Sequence, residues 1–192
     1  MVNYPNKKKN NHYTSMIEGK HNTAHRGMNL EEDINLTNEY YLSHDIAVIH
    51  KKPTPIQIVK VSYPERSSAK IVEAYFRTPS TTDYNGIYKG KYIDFEAKET
   101  KTLSFPFTNI SLHQINHLDK VVHHGGIAFL IIAFTKVNEV YLLDASFMVE
   151  AYRKNDRKSL RYETIGHLIR QGFLPRLHYL EIIDQYYCEV FK

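Results

Sequence analysis

Asp83, Glu96 and Lys98 are the residues of this chain whose types and spacing could do chemistry. Glu96 and Lys98 stand two apart, so on an extended strand they share one face, and Asp94 shares it with them. Asp83 lies thirteen residues before Glu96, about the separation a hairpin needs to bring it back beside that face. Two carboxylates that approach each other repel unless a cation sits between them. Mg²⁺ suits such a pair because it prefers hard oxygen ligands and keeps several waters. A lysine on the same face can orient an attacking water or neutralise charge developing on a phosphate. The set fits metal-assisted hydrolysis of a phosphodiester. The same Glu-x-Lys triplet also fits the solvated face of an amphipathic strand.

The elements that must position these residues are legible around them. Asn85-Gly86 and Lys89-Gly90 read as two turn signals in a β-prone run. After the second, Ile93, Phe95 and Ala97 alternate with Asp94, Glu96 and Lys98, which predicts a strand with one apolar face. Upstream, Asn29 is a good helix N-cap and Leu30-Glu31-Glu32-Asp33 places acids in a first turn, predicting a helix to about Ser43. Ile46 to Ile49 reads as a short buried strand. His50 to Pro55 holds two prolines and cannot be a central strand. Ile56 to Val61 alternates roughly, and Glu65 to Phe76 shows Ala69, Val72 and Phe76 at helical spacing. Five Lys or Arg against Glu65 between His50 and Lys70 suggest a basic projection from the domain. Downstream, Thr100 to Asn109 reads as a loop. A helix is expected from Leu112 to about His124, capped by Ser111 and ended by Gly125-Gly126. Ile127 to Phe134 reads as a fully apolar strand, with Val140 to Leu143 as its antiparallel partner. Helices are expected over Ala145 to Arg153, Tyr162 to Gln171 and Leu177 to Tyr187. The fold class is therefore α/β, a mixed central sheet flanked by helices.

Composition agrees with one soluble globular domain of 192 residues. Apolar runs fall short of the roughly 18 residues of a membrane span, and the lysines near the N-terminus are not followed by the apolar segment of a signal peptide. One cysteine, Cys188, fits a reducing cytosol and a cytoplasmic location. Residues 1–27 carry Lys7, Lys8, Lys9, Lys20 and Arg26 against Glu18, which equals the whole net charge of +4. Residues 1–25 read as a mobile basic tail, and nucleic-acid binding by the remainder must come from local patches.

The order helix, strands, helix, strand, with Asp83 followed by Glu96-Ala97-Lys98, resembles the PD-(D/E)XK nucleases. Arg26-Gly27-Met28, Glu39-Tyr40-Tyr41, Ala47 through Pro55, Thr81 through Thr100 and Pro175-Arg176-Leu177 resemble one branch, the RecU Holliday junction resolvases of Gram-positive bacteria. The likeness runs from about Arg26 to Tyr187. It implies a single nuclease domain over residues 26–192 with a restriction-endonuclease-like core. It also implies a protruding stalk at about residues 53–77 that enters the junction centre. The implied activity is Mg²⁺-dependent, symmetric cleavage of four-way DNA junctions by a homodimer in recombination and repair. Mn²⁺ is the expected substitute, and a recombinase or branch-migration protein is a candidate further partner. Carried over by motif, Asp83 and Glu96 are metal ligands, Lys98 stabilises the transition state, and Thr81 and Gln114 complete the metal's surroundings. Arg26, Lys51, Lys52 and Arg66 fall at positions that contact DNA. Thr82 stands where the superfamily's name has proline, as in this branch generally.

Two other functions remain open on sequence: a restriction-type endonuclease of the same fold, and a junction-binding regulator that does not cut. The first needs base-edge readers, and no stretch stands out as one. The second has no use for a repulsive acid pair. His113 and His117 have the spacing of a zinc pair, but Gln114-Ile115-Asn116 between them lacks the glutamate of HExxH, so they read as helix-face residues near DNA or solvent.

Overall fold

A computed structural model of the chain describes residues 29–64, 68–77, 81–154 and 156–187. The chain opens with α1 (Leu30–Ser43) and continues through β1 (Val48–Lys51), β2 (Ile56–Ser62), β3 (Lys70–Phe76), β4 (Tyr84–Tyr88), β5 (Lys91–Thr100) and β6 (Ser104–Pro106). Then come α2 (Leu112–His123), β7 (Ile127–Phe134), β8 (Glu139–Asp144), α3 (Ala145–Lys154), β9 (Ser159–Arg161), β10 (His167–Leu168) and α4 (Tyr179–Tyr186). The central sheet runs in the order β1-β4-β5-β7-β8-β10. Only the β5–β7 pairing is parallel, and α2 makes the crossover that it requires. The sheet is therefore mixed and flanked by helices, as the sequence predicts.

Each face of that sheet has its own core. Ile93, Phe95, Phe129 and Ile131 pack with Leu30, Ile34 and Tyr41 of α1 and with Tyr179 and Ile183 of α4. Tyr84, Phe95 and Phe129 stack across three strands, with ring centroids 4.9 and 4.7 Å apart. On the other face, Ala128, Leu130 and Ile132 pack with Ile115 and Leu118 of α2 and Met148 of α3. β7 is buried along its whole length because it serves both layers, which explains its unbroken apolar run.

Several sequence expectations need correction. Asn85-Gly86 is not a turn but the middle of β4, where Gly86 pairs with Ile49. A Cβ on Gly86 would lie 2.1 Å from the Val48 carbonyl oxygen, so glycine serves close strand approach there. The reversal lies at Lys89-Gly90, whose φ values are +47° and +78°. The described part of the stretch expected as a helix over 65–76 is β3, paired antiparallel with β2. Its apolar residues have no core to face as a helix, and backbone pairing decides. The helix expected over 162–171 is a short 3₁₀ turn followed by β10. Gly166 marks the change, since a Cβ there would meet the Leu142 carbonyl oxygen at 2.2 Å. The expected loop at 100–109 contains β6, paired with β9. The first strand begins at Val48 rather than Ile46. Asn29 occupies the N-cap of α1 without a side-chain bond. Glu99 Oε1 accepts from the Leu30 backbone N–H instead, at 2.8 Å. β2 and β3 form a separate two-stranded sheet. Val59, Val72, Tyr75 and Phe76 on it are all exposed.

Candidate active site

Alternation along β5 sends Asp94, Glu96 and Lys98 toward the α2 side of the sheet, in register with Ala128, Leu130 and Ile132 of β7. That face is not solvated. Asp94 is 0% exposed and Glu96 1%. The acids instead lie beneath α2, which meets them with Gln114 and His117. Antiparallel pairing of Tyr84 with Phe95 brings Asp83, one residue earlier, beside Glu96. The Asp83 carboxylate accepts from the Ala97 backbone N–H at 3.0 Å, which fixes it across the strand.

Glu96 Oε1 receives the Gln114 side-chain amide at 2.6 Å and the Lys98 ammonium at 2.7 Å. Its other oxygen, Oε2, is buried, and no donor among the described residues faces it. Burial pushes the Glu96 carboxyl up to about 7. The Lys98 hydrogen bond opposes the shift and the Asp83 charge adds to it. An acid pair of which Glu96 is buried with an orphaned oxygen, beside one ammonium, is suited to a hard divalent cation.

Gln114 is placed beside the acids as expected, but as a donor to Glu96. Its side-chain oxygen accepts from the Ser111 backbone N–H at 3.1 Å and from the Ser111 hydroxyl at 3.0 Å, holding the first turn of α2. Thr81 opens the turn into Asp83, and its hydroxyl lies 3.3 Å from the Lys52 ammonium. Lys51 is exposed and pairs with Glu31 of α1. Lys52 turns inward, its ammonium 2.8 Å from Asp94 Oδ2. Arg26 and Arg66 lie outside the described residues.

Sequence reasoning missed the partners of Asp94. Its carboxylate accepts from Lys52, from the Thr82 hydroxyl, from the Tyr92 hydroxyl at 2.7 Å and from His117 Nε2 at 3.2 Å. An oxygen that only accepts selects the Nε2–H form of His117. The signal was available in part, since His117 follows Gln114 by three positions and therefore shares its helix face.

The chain matches the Recombination protein U family over residues 25–185. It belongs to the RecU family. A Holliday junction resolvase RecU of Bacillus cytotoxicus is 53% identical over 196 residues, covering 97% of this chain and 98% of that one. The RecU resolvase of Bacillus thuringiensis strain Al Hakam is 53% identical over 198 residues, with the same coverage. The family resemblance drawn from residues Arg26 to Tyr187 is thus borne out. Among solved structures, the Archaeoglobus fulgidus Holliday junction resolvase Hjc covers 70% of this chain, which spans 88% of Hjc, at 11% identity and a TM-score of 0.41. No helix among the described residues is long and apolar enough to cross a membrane.

Proposed function

We propose that this protein is a structure-selective endodeoxyribonuclease that resolves four-way DNA junctions by hydrolysing phosphodiester bonds. The observation that carries the reading is the Asp83–Glu96 pair with its orphaned buried oxygen beside Lys98. Two relatives at 53% identity that bear the name Holliday junction resolvase support it. Asp83 and Glu96 are the residues to hold a divalent ion, with Thr81 beside them. Mg²⁺ is the natural occupant and Mn²⁺ the substitute, because the donors are hard oxygens. Bound there, the ion supplies a Lewis acid for the phosphoryl oxygen and lowers the pKa of a water.

The chain's own residues do the rest. Lys98 places a positive charge next to Glu96, where charge develops on the scissile phosphate. Gln114 holds Glu96 Oε1 and keeps its carboxylate from rotating. Lys51 on the exposed β1 edge, with Arg26 and Arg66, supplies phosphate contacts. The β2–β3 hairpin, basic and apolar at once, is the stalk that selects an open junction over linear duplex. Its exposed apolar side chains favour a homodimer, since an isolated two-stranded sheet is marginal in water.

The test is cleavage of a labelled four-way junction beside a matched linear duplex, in Mg²⁺ and in EDTA, for wild type and Asp83→Ala. Paired symmetric nicks on the junction alone, lost in EDTA and in the variant, are expected. Binding without cutting in any metal overturns the nuclease reading and favours a regulator. Equal cutting of both substrates overturns junction selectivity.

A further inference from the structure

Asp94 is a charge placed where a core would ordinarily put valine or isoleucine. Its register partner on β7 is Ala128, and the surrounding face is apolar. A buried carboxylate costs several kcal/mol unless donors surround it, so its retention calls for a reason. The reason lies in where its donors come from. Lys52 follows the end of β1, and its backbone N–H donates to the Asp83 carbonyl at 2.7 Å. Thr82, 1% exposed, sits between Thr81 and Asp83 in sequence. His117 lies almost one turn beyond Gln114 on α2. Tyr92 comes from β5 itself. Three of the four donors are thus one short step from a residue of the acid site, and each belongs to a different segment.

We infer that Asp94 is a positioning residue for the metal-binding carboxylates. Its carboxylate draws the end of β1, the Thr81–Asp83 turn and α2 onto one strand face. Glu96, two residues along, then finds Asp83 and Gln114 already in place. Lys52 is its principal counter-charge. The two helix-to-strand contacts, Gln114 to Glu96 and His117 to Asp94, work as a pair. One alone would leave α2 free to pivot over the site. Partners of this kind behind a ligand set typically carry 10- to 100-fold in metal affinity.

This inference rests on the metal reading of Asp83 and Glu96, and the experiment separates the two. Mn²⁺ binding to the full-length protein would be followed by calorimetry without DNA, alongside thermal unfolding and junction binding in EDTA. Asp94→Asn is expected to weaken Mn²⁺ binding 10- to 100-fold while binding remains saturable, with EDTA junction affinity within about twofold of wild type. Removing one partner of a buried ion pair destabilises, so the Asp94→Asn/Lys52→Met double variant removes both charges and guards against simple misfolding. It should regain thermal stability and still bind Mn²⁺ weakly. Tyr92→Phe, whose hydroxyl accepts from Asn85 of β4 at 3.2 Å but ties neither the end of β1, the Thr81–Asp83 turn nor α2, should bind like wild type. A double variant that folds and binds Mn²⁺ as wild type does overturns the inference. Loss as complete as in Glu96→Gln also overturns it, making Asp94 a ligand. Wild type without saturable Mn²⁺ binding overturns instead the metal reading of the acid pair.

Discussion

β5 and the β2–β3 hairpin invert the usual rule of burial in opposite senses. On β5, the Asp94 and Glu96 carboxylates are buried to 1% exposure or less. On the hairpin, Val72 and Phe76 stand 59% and 84% exposed. The buried acids are satisfied from inside: Asp94 by four donors, Glu96 by Gln114 and Lys98, with one oxygen left over. The exposed apolar side chains look outward for cover that the described residues do not place on them. One region keeps charge away from water, where electrostatic interactions are strong. The other keeps apolar surface in water.

The largest expected effect falls on the buried side. Glu96→Gln should lower junction cleavage by roughly 10³-fold or more, while binding in EDTA stays near wild type. Full cutting by the variant would remove the acid pair from the comparison.

The next effect comes from burial itself. The folded Glu96 carboxyl sits at about 7 against 4.5 when unfolded, so the folded protein keeps a proton that the unfolded chain has lost. Its contribution to stability is fully present below about pH 4.5 and is lost as pH rises through 7. In EDTA, Glu96→Gln should therefore gain on wild type by about 2 kcal/mol between pH 5 and pH 8, read by thermal or denaturant unfolding. A pH-independent difference would mean that Glu96 is not held protonated by burial.

On the exposed side, Val72→Lys with Phe76→Ser should weaken self-association about tenfold in sedimentation, roughly 1.4 kcal/mol. Stability of the fold should move by no more than about 0.5 kcal/mol, as for ordinary surface changes. A large drop in fold stability would place the hairpin inside a core and end the contrast.

The smallest effect lies just past the buried face. Glu99→Ala removes the oxygen that caps α1 and should cost about 0.5–1 kcal/mol of stability. Unchanged denaturant unfolding would show that water caps α1 equally well.

The two regions were not equally legible in the sequence. Alternation fixed β5 and the sides to which its residues point. The unbroken apolar run fixed β7. Asp83, Glu96 and Gln114 do converge. What periodicity could not reveal is the cover over the polar face, because the helix that supplies it is brought there by a parallel pairing far along the chain. Lys52 reads as one more surface cation until Asp94, forty-two residues away, is seen to hold it. The hairpin was misread locally because Ala69, Val72 and Phe76 satisfy helical spacing while β2 supplies the competing ladder. Gly86 was ambiguous for a related reason. A glycine that admits a neighbouring strand looks, in sequence, like one that turns the chain.

The parallel β5–β7 pairing also sets an order of events during synthesis. Asp83, Glu96 and Lys98 all emerge from the ribosome before α2 and before β7, which begins only at Ile127, beyond the α2 crossover. Contacts so far apart in sequence form late, after the intervening loop has been closed. A nascent chain thus carries its acids on an open hairpin, wet and without Gln114 or His117 above them, until the crossover docks. Possession of the acids and possession of their cover are separated in time, and a truncated chain holds the first without the second.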